Sequence, residues 1–244
     1  MGIEDNERAL IEQALADEVG AVVDKFVVEV VKDAMAAYSS DVLVAASSRP
    51  FTLSGVRKHW GRVVDKVKES ARRMFRGDED DALLPVLNMV DDMELPARIH
   101  ERVVNTLQAG VDGSWSREEL FRKIKDSVGN PVKTTAGIVT AVATALYSIV
   151  QYKRFQREQV KFKRWVSNHD DRTRPDHLAA DGQVQLKDDP FQVGGSLLDA
   201  PGDPSGPASQ VANCRCVMVG VNRDGDPVTV SQNSSGLGLI LHFD

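Results

Sequence analysis

Aromatic side chains are scarce in this 244-residue chain, at 6%, which argues against a platform of exposed rings for stacking single-stranded nucleic acid. Basic charge is not in surplus either. The net charge is −6, unlike a protein that coats duplex DNA over its whole surface. Cysteine is nearly absent: Cys214 and Cys216 are the two, one residue apart. A bridge from i to i+2 fits disulfide geometry poorly, and secreted scaffolds carry more cysteines, so reduced thiols in a cytosolic setting are expected. The opening Met1-Gly2-Ile3-Glu4-Asp5-Asn6-Glu7 lacks the basic and apolar segments of a signal peptide. Asn6 also stands where a myristoylation signal wants Ser or Thr. One apolar segment without charge, residues 136–150, is interrupted by Thr and Ser and is shorter than the roughly twenty residues a bilayer span needs. It predicts a helix buried in protein, with no membrane span. No glycine-rich phosphate-binding loop is present.

What remains is ordinary for a globular protein, 42% hydrophobic and 27% charged. Apolar residues recur at three- to five-residue spacing over residues 7–38, a helical period. Ser47-Ser48-Arg49-Pro50 marks a break, because a residue before proline is pushed out of the helical region. Further helices are expected over residues 54–75, 82–90 and 97–110, the last with Pro96 in its first turn. Residues 77–81 read as a solvated acidic turn or a contact for a basic partner. Ser116-Arg117-Glu118-Glu119 has the form of a capping box, and Asn130-Pro131 ends the helix it opens. The apolar helix from Thr134 continues towards Arg157.

Near Val160 the pattern changes to short β-like runs separated by turn-forming residues: 161–167, 183–186, 214–221, 227–231 and 237–243. The fold class expected is α+β, with a mainly helical region over residues 1–155 and a small irregular α+β domain over residues 156–244.

The densest chemistry lies in that second region. If residues 213–221 form a strand, Cys214 and Cys216 share a face, since side chains repeat every two residues. Two thiolates with the imidazole of His177 can bind one zinc ion, with His169, Asp170, Asp171 or Asp176 as the fourth ligand. The alternative is that the thiols are small buried apolar groups and His177 holds its loop by hydrogen bonds. Trp165 reads as a core anchor. Between Lys153 and Arg174 the charge is basic, through Lys153, Arg154, Arg157, Lys161, Lys163, Arg164, Arg172 and Arg174. That stretch is a candidate for contact with a polyanion such as DNA, or a solvated face. A His-Asn-His nuclease lacks its third histidine, with His242 as a weak stand-in, and a zinc deaminase lacks its His-x-Glu. Asp–Arg pairs and Asx turns that tie down a loop-rich domain explain the polar cluster better.

The order of these pieces carries a resemblance. Trp165, then Asp171-Arg172-Thr173-Arg174-Pro175-Asp176-His177, Asp181-Gly182, Pro201-Gly202-Asp203-Pro204 and Asn213-Cys214-Arg215-Cys216 are similar to the C-terminal domain of phage Mu F-like head morphogenesis proteins. The motif residues that carry it are Trp165, Asp171, Arg172, Arg174, Asp181, Gly182 and Asn213. The chain departs from the pattern at Arg174, where some members have cysteine, and at Val211, where some have histidine. The resemblance implies a non-enzymatic minor capsid protein of a tailed phage, located in the capsid interior or at the portal vertex and in the host cytoplasm during assembly. It implies the portal protein and the capsid or scaffold interior as partners, with packaged DNA as a further one. The helical half would be the partner-binding arm. Two other classes are a zinc-dependent nuclease using His177 and the cysteines, and an effector delivered with the virion.

Overall fold

A computed structural model describes residues 3–38, 51–74 and 80–228. In chain order the elements are α1 (Ile3–Ala37), α2 (Leu53–Met74), α3 (Asp80–Asp91), α4 (Leu95–Asp112), α5 (Arg117–Val128), α6 (Pro131–Arg157), β1 (Phe162–Val166), α7 (Pro175–Ala180), β2 (Val184–Leu186), β3 (Phe191–Val193), β4 (Ser196–Leu198), α8 (Ala208–Val211) and β5 (Val217–Val221). The fold is α+β, as expected. The break at Ser47–Pro50, the glycine and acids of residues 77–79, His242 and the run 237–243 lie outside the described residues.

Contacts divide the chain into two compact units. One comprises Asp17–Lys68 and Asp91–Ala136 and is helical. Its core includes Val19, Val23, Val30, Val56, Val63 and Val67, and Phe26 meets Trp60 edge-to-face at 5.6 Å. The Ser116 half of the capping box forms: Ser116 Oγ accepts from the Glu119 amide at 3.2 Å, which satisfies one of the donors a helix start leaves free. Asn130 ends one helix and opens the next. Its Oδ1 accepts from the Val132 amide at 2.8 Å, with Pro131 in the first helical position, where no amide is needed.

The other unit comprises Met1–Ala16, Glu69–Val90 and Gly137–Asp244 and holds the small sheets. β1 is central in the order β2-β1-β5, antiparallel to both neighbours, with Trp165 opposite Met218. β3 and β4 pair as a separate hairpin through Gly194-Gly195, both at positive φ, +54° and +81°. Glycine is the residue such a two-residue turn demands. Trp165, fully buried, packs edge-to-face on Phe191 at 5.3 Å and on His177 at 5.5 Å; it anchors the core expected of it.

α6 explains its own polar interruptions. Thr140, Thr144 and Ser148 recur every four residues on one face, and all are buried. Thr140 donates to Glu12 at 2.6 Å, Thr144 to the Cys214 carbonyl at 2.6 Å and Ser148 to the Pro201 carbonyl at 2.7 Å. The stripe ties α6 to α1 through Thr140 and to the loops that carry Cys214 and Pro201 through Thr144 and Ser148. The Arg117–Arg157 stretch has an 18-residue window apolar enough to cross a membrane, yet 72% of that window is buried inside the protein, as in a core helix.

Candidate metal centre

His177 is the third residue of α7, whose Pro175 supplies the preset φ of a helix start. Arg174, at its N-cap, reaches across to the segment before the cysteines. Its guanidinium donates to the Ala212 carbonyl at 2.7 and 2.8 Å and to the Gln210 carbonyl at 3.3 Å. Arg174 thus clamps that segment to the start of α7. The loop between β1 and α7 is held from the other side. Asp170 accepts both guanidinium arms of Arg215, at 2.6 and 2.7 Å, and this, with Thr173 and the Arg172 amide, holds its carboxyl well below the usual carboxylate range. Asp181 Oδ1 accepts from the Ser167 amide at 2.6 Å, and Gly182, at φ +76°, returns the chain to Trp165 with an amide-to-carbonyl bond of 2.9 Å.

The cysteines do not lie on a regular strand. β5 begins only at Val217, so the alternation argument does not place the two thiols. Asn213, in the left-handed region at φ +55°, turns the chain just before them; asparagine tolerates that conformation better than most residues. The result still brings the expected residues together. His177, Cys214 and Cys216 have all three candidate ligand atoms within 4.8 Å of one another, and each residue is no more than 3% exposed. The Nδ1 atom of His177 is 3.3 Å from Cys216 Sγ and 3.7 Å from Cys214 Sγ.

The two thiols are shifted in opposite directions. Cys214 accepts from the Cys216 thiol and from the amides of Cys216 and Gly202, with the charge of Arg174 nearby, and against burial these lower it. Donation to Cys214, together with burial, pushes Cys216 well above the ordinary thiol range. Cys214 is thus the more acidic of the two thiols, and it is the deprotonated form of a cysteine that binds metal. The donor set fits zinc. Zinc–sulfur bonds of about 2.3 Å and zinc–nitrogen bonds of 2.0–2.1 Å at a tetrahedral angle imply sulfur–nitrogen separations of about 3.5 Å, between the two found. The proposed fourth ligands are engaged elsewhere. His169 pairs with Asp181 at 2.9 Å, Asp170 with Arg215, and Asp176 with Gln210; Asp171 is exposed. Among the described residues, the group contains only those three ligands.

A family model described as phage Mu protein F like protein matches residues 97–219, half of the chain. The chain belongs to the phage Mu F-like family. No curated protein and no solved structure matches it. The family is a structural one of bacteriophage head morphogenesis, associated with the virion capsid. The match takes in the His/Cys/Cys group, Trp165, Asp181-Gly182 and Asn213. It begins inside α4 and ends inside β5, so it takes in α5 and α6 as well as most of the small sheets.

The basic residues of this stretch are dispersed by the fold. Lys163 is 1% exposed, donates to the Asp199 carbonyl at 2.7 Å and sits 4.9 Å over the Phe191 ring. Burial lowers its pKa despite Asp199 nearby. Arg154 is buried in a two-pronged pair with Glu7, and Arg164 donates to the Gly225 carbonyl. Arg157 lies 3.6 Å from Glu158. Lys153 is half-buried and Lys161 is exposed. Arg172 is exposed, 3.9 Å from Asp170. Sequence reading missed Gln210, which bonds to both His177 and Asp176, and the Asp170–Arg215 pair. The order Asp-Asp-Arg followed by Cys-Arg-Cys was the available signal for the pair; nothing local marks Gln210.

Proposed function

We propose that this Mu F-like protein acts in procapsid assembly by binding the portal protein and the inner capsid surface. On this reading residues 1–155 form the arm that meets the partners and residues 156–244 the zinc-stapled domain. The family membership carries the reading. A groove in the helical unit supports it: Val27, Val28, Val31 and Met35 of α1 face Phe121 of α5, with Val28 62% and Phe121 48% exposed. Exposed apolar surface of this kind marks sites of protein association. DNA contact, in packaging or ejection, would fall to Lys153, Arg157 and Lys161.

Zinc held by His177, Cys214 and Cys216 would cross-link α7 to the segment before β5, a stabilising role. The burial of all three ligands leaves no approach for a phosphodiester, which favours this structural role over a nuclease. The test is co-expression of the full chain with the portal protein of the same phage. Co-purification that is lost on Val28→Asp with Phe121→Asp, in a variant that remains folded, supports the assignment. Failure of the wild-type chain to bind portal or procapsid would overturn it.

A further inference from the structure

His177 offers two nitrogens, and the hydrogen bonds around it decide which one is free. Its Nε2 lies 3.1 Å from Gln210 Oε1, and the same amide's Nε2 lies 2.7 Å from Asp176 Oδ2. A carboxylate can only accept. The Gln210 amino group must therefore face Asp176, which turns its carbonyl oxygen to the imidazole. That oxygen accepts from an N–H on Nε2, so in the neutral ring the proton sits there and Nδ1 carries a lone pair. Nδ1 is the atom aimed at both sulfurs.

We infer that Asp176 and Gln210 form a positioning relay that fixes the Nε2–H tautomer of His177 and so makes Nδ1 the metal-binding atom of the centre. Metal-bound histidines commonly donate their second N–H to such a partner, which orients the ring and raises its basicity. Here the partner is a neutral amide polarised by a carboxylate behind it. Gln210 is 6% exposed, and its orientation is guarded from above. Gly194, at φ +54° in the β3–β4 turn, presses on the relay so closely that a Cβ there would collide with Asp176 Oδ2 and Gln210 Nε2. The hairpin glycine thus has a second reason to be glycine, beyond its turn conformation.

The metal-binding part of this inference rests on the zinc reading; the tautomer does not. The experiment therefore reads both separately on the full chain. Histidine-labelled ¹⁵N protein, stripped of metal, is examined by long-range nitrogen–proton correlation at about pH 8, where an ordinary imidazole is neutral. His177 is identified by the signal lost in His177→Asn. A proton on Nε2 and none on Nδ1 is expected; a proton on Nδ1 overturns the relay. Co²⁺ titration followed by its thiolate charge-transfer absorption supplies the second reading. Asp176→Leu is expected to mix the tautomers and weaken Co²⁺ binding about tenfold or more. Asp176→Asn keeps an acceptor for Gln210 and should recover most of both. Unchanged tautomer and affinity in a folded Asp176→Leu variant would also overturn the relay. The Nε2–H tautomer with no thiolate–cobalt band in the wild type would leave the relay standing and remove the zinc reading.

Discussion

Asp170 and Arg215 couple the loop after β1 to the cysteine segment, and their pairing sets a pH response. The Asp170 carboxyl is held below its ordinary range mainly by the Arg215 hydrogen bonds. A carboxylate depressed in the folded state stabilises fully above its unfolded pKa and loses that contribution as pH falls towards its folded value. Arg215→Gln should therefore lower the urea midpoint by a constant amount from neutral pH down to about pH 4, near the unfolded aspartate pKa. The gap to wild type should close only below that. A gap that already closes between pH 7 and 5, on the scale of histidine titration, would refute the assignment. Trp165 belongs to the same scale. Its truncation to Ala empties the space between Phe191 and His177 and should cost about 3–5 kcal/mol in chemical unfolding. That Trp165 is a core anchor was legible from a large aromatic beside a polar loop. That Lys163, two residues earlier on the same buried face of β1, would also turn inward was not, because its partner is a backbone carbonyl 36 residues away.

At the scale of elements, α6 and the β3–β4 hairpin do the positioning. Thr144 donates a hydrogen bond to the carbonyl of Cys214, so Thr144→Val leaves a buried acceptor unpaired, at a cost of about 1–3 kcal/mol. Because that carbonyl belongs to a ligand residue, the same change should weaken Co²⁺ binding, and titration checks whether both effects appear together. Gly194→Ala should act from the opposite side, disturbing the Asp176–Gln210 relay; loss of Co²⁺ affinity exceeding that of Gly195→Ala is the expected result. At Gly195 an added Cβ meets nothing, so that change carries turn strain alone. The helices were readable because period, caps and breaks are local: Ser116, Asn130 and Pro131 each act on residues within a few positions. The hairpin was passed over although Gly194-Gly195 is its turn signal, because its strands are only three residues long. The run 227–231 survives in the described residues as a single bridge from Val221 to Pro227.

For the molecule as a whole, a metal that binds only the native state adds stability by mass action. Zinc at about a thousand times its dissociation constant contributes roughly 4 kcal/mol. Stripping it with a chelator should lower the melting temperature of the wild type and leave Cys214→Ser with Cys216→Ser unmoved; an equal shift in both would mean that zinc acts elsewhere. Sequence alone determined the α+β class, most helix positions, the family and the three candidate ligands, since these rest on short-range periodicity and on the order of rare residues. Tertiary structure decided the rest. It delayed the expected strand to Val217, behind a left-handed turn at Asn213, drew His169, Asp170 and Asp176 away to other partners, buried Arg154 and Lys163 of the basic cluster and chose which nitrogen of His177 faces the thiols. Each of these depends on groups tens of residues apart competing for the same hydrogen bonds, and such competition is resolved only when the chain is packed.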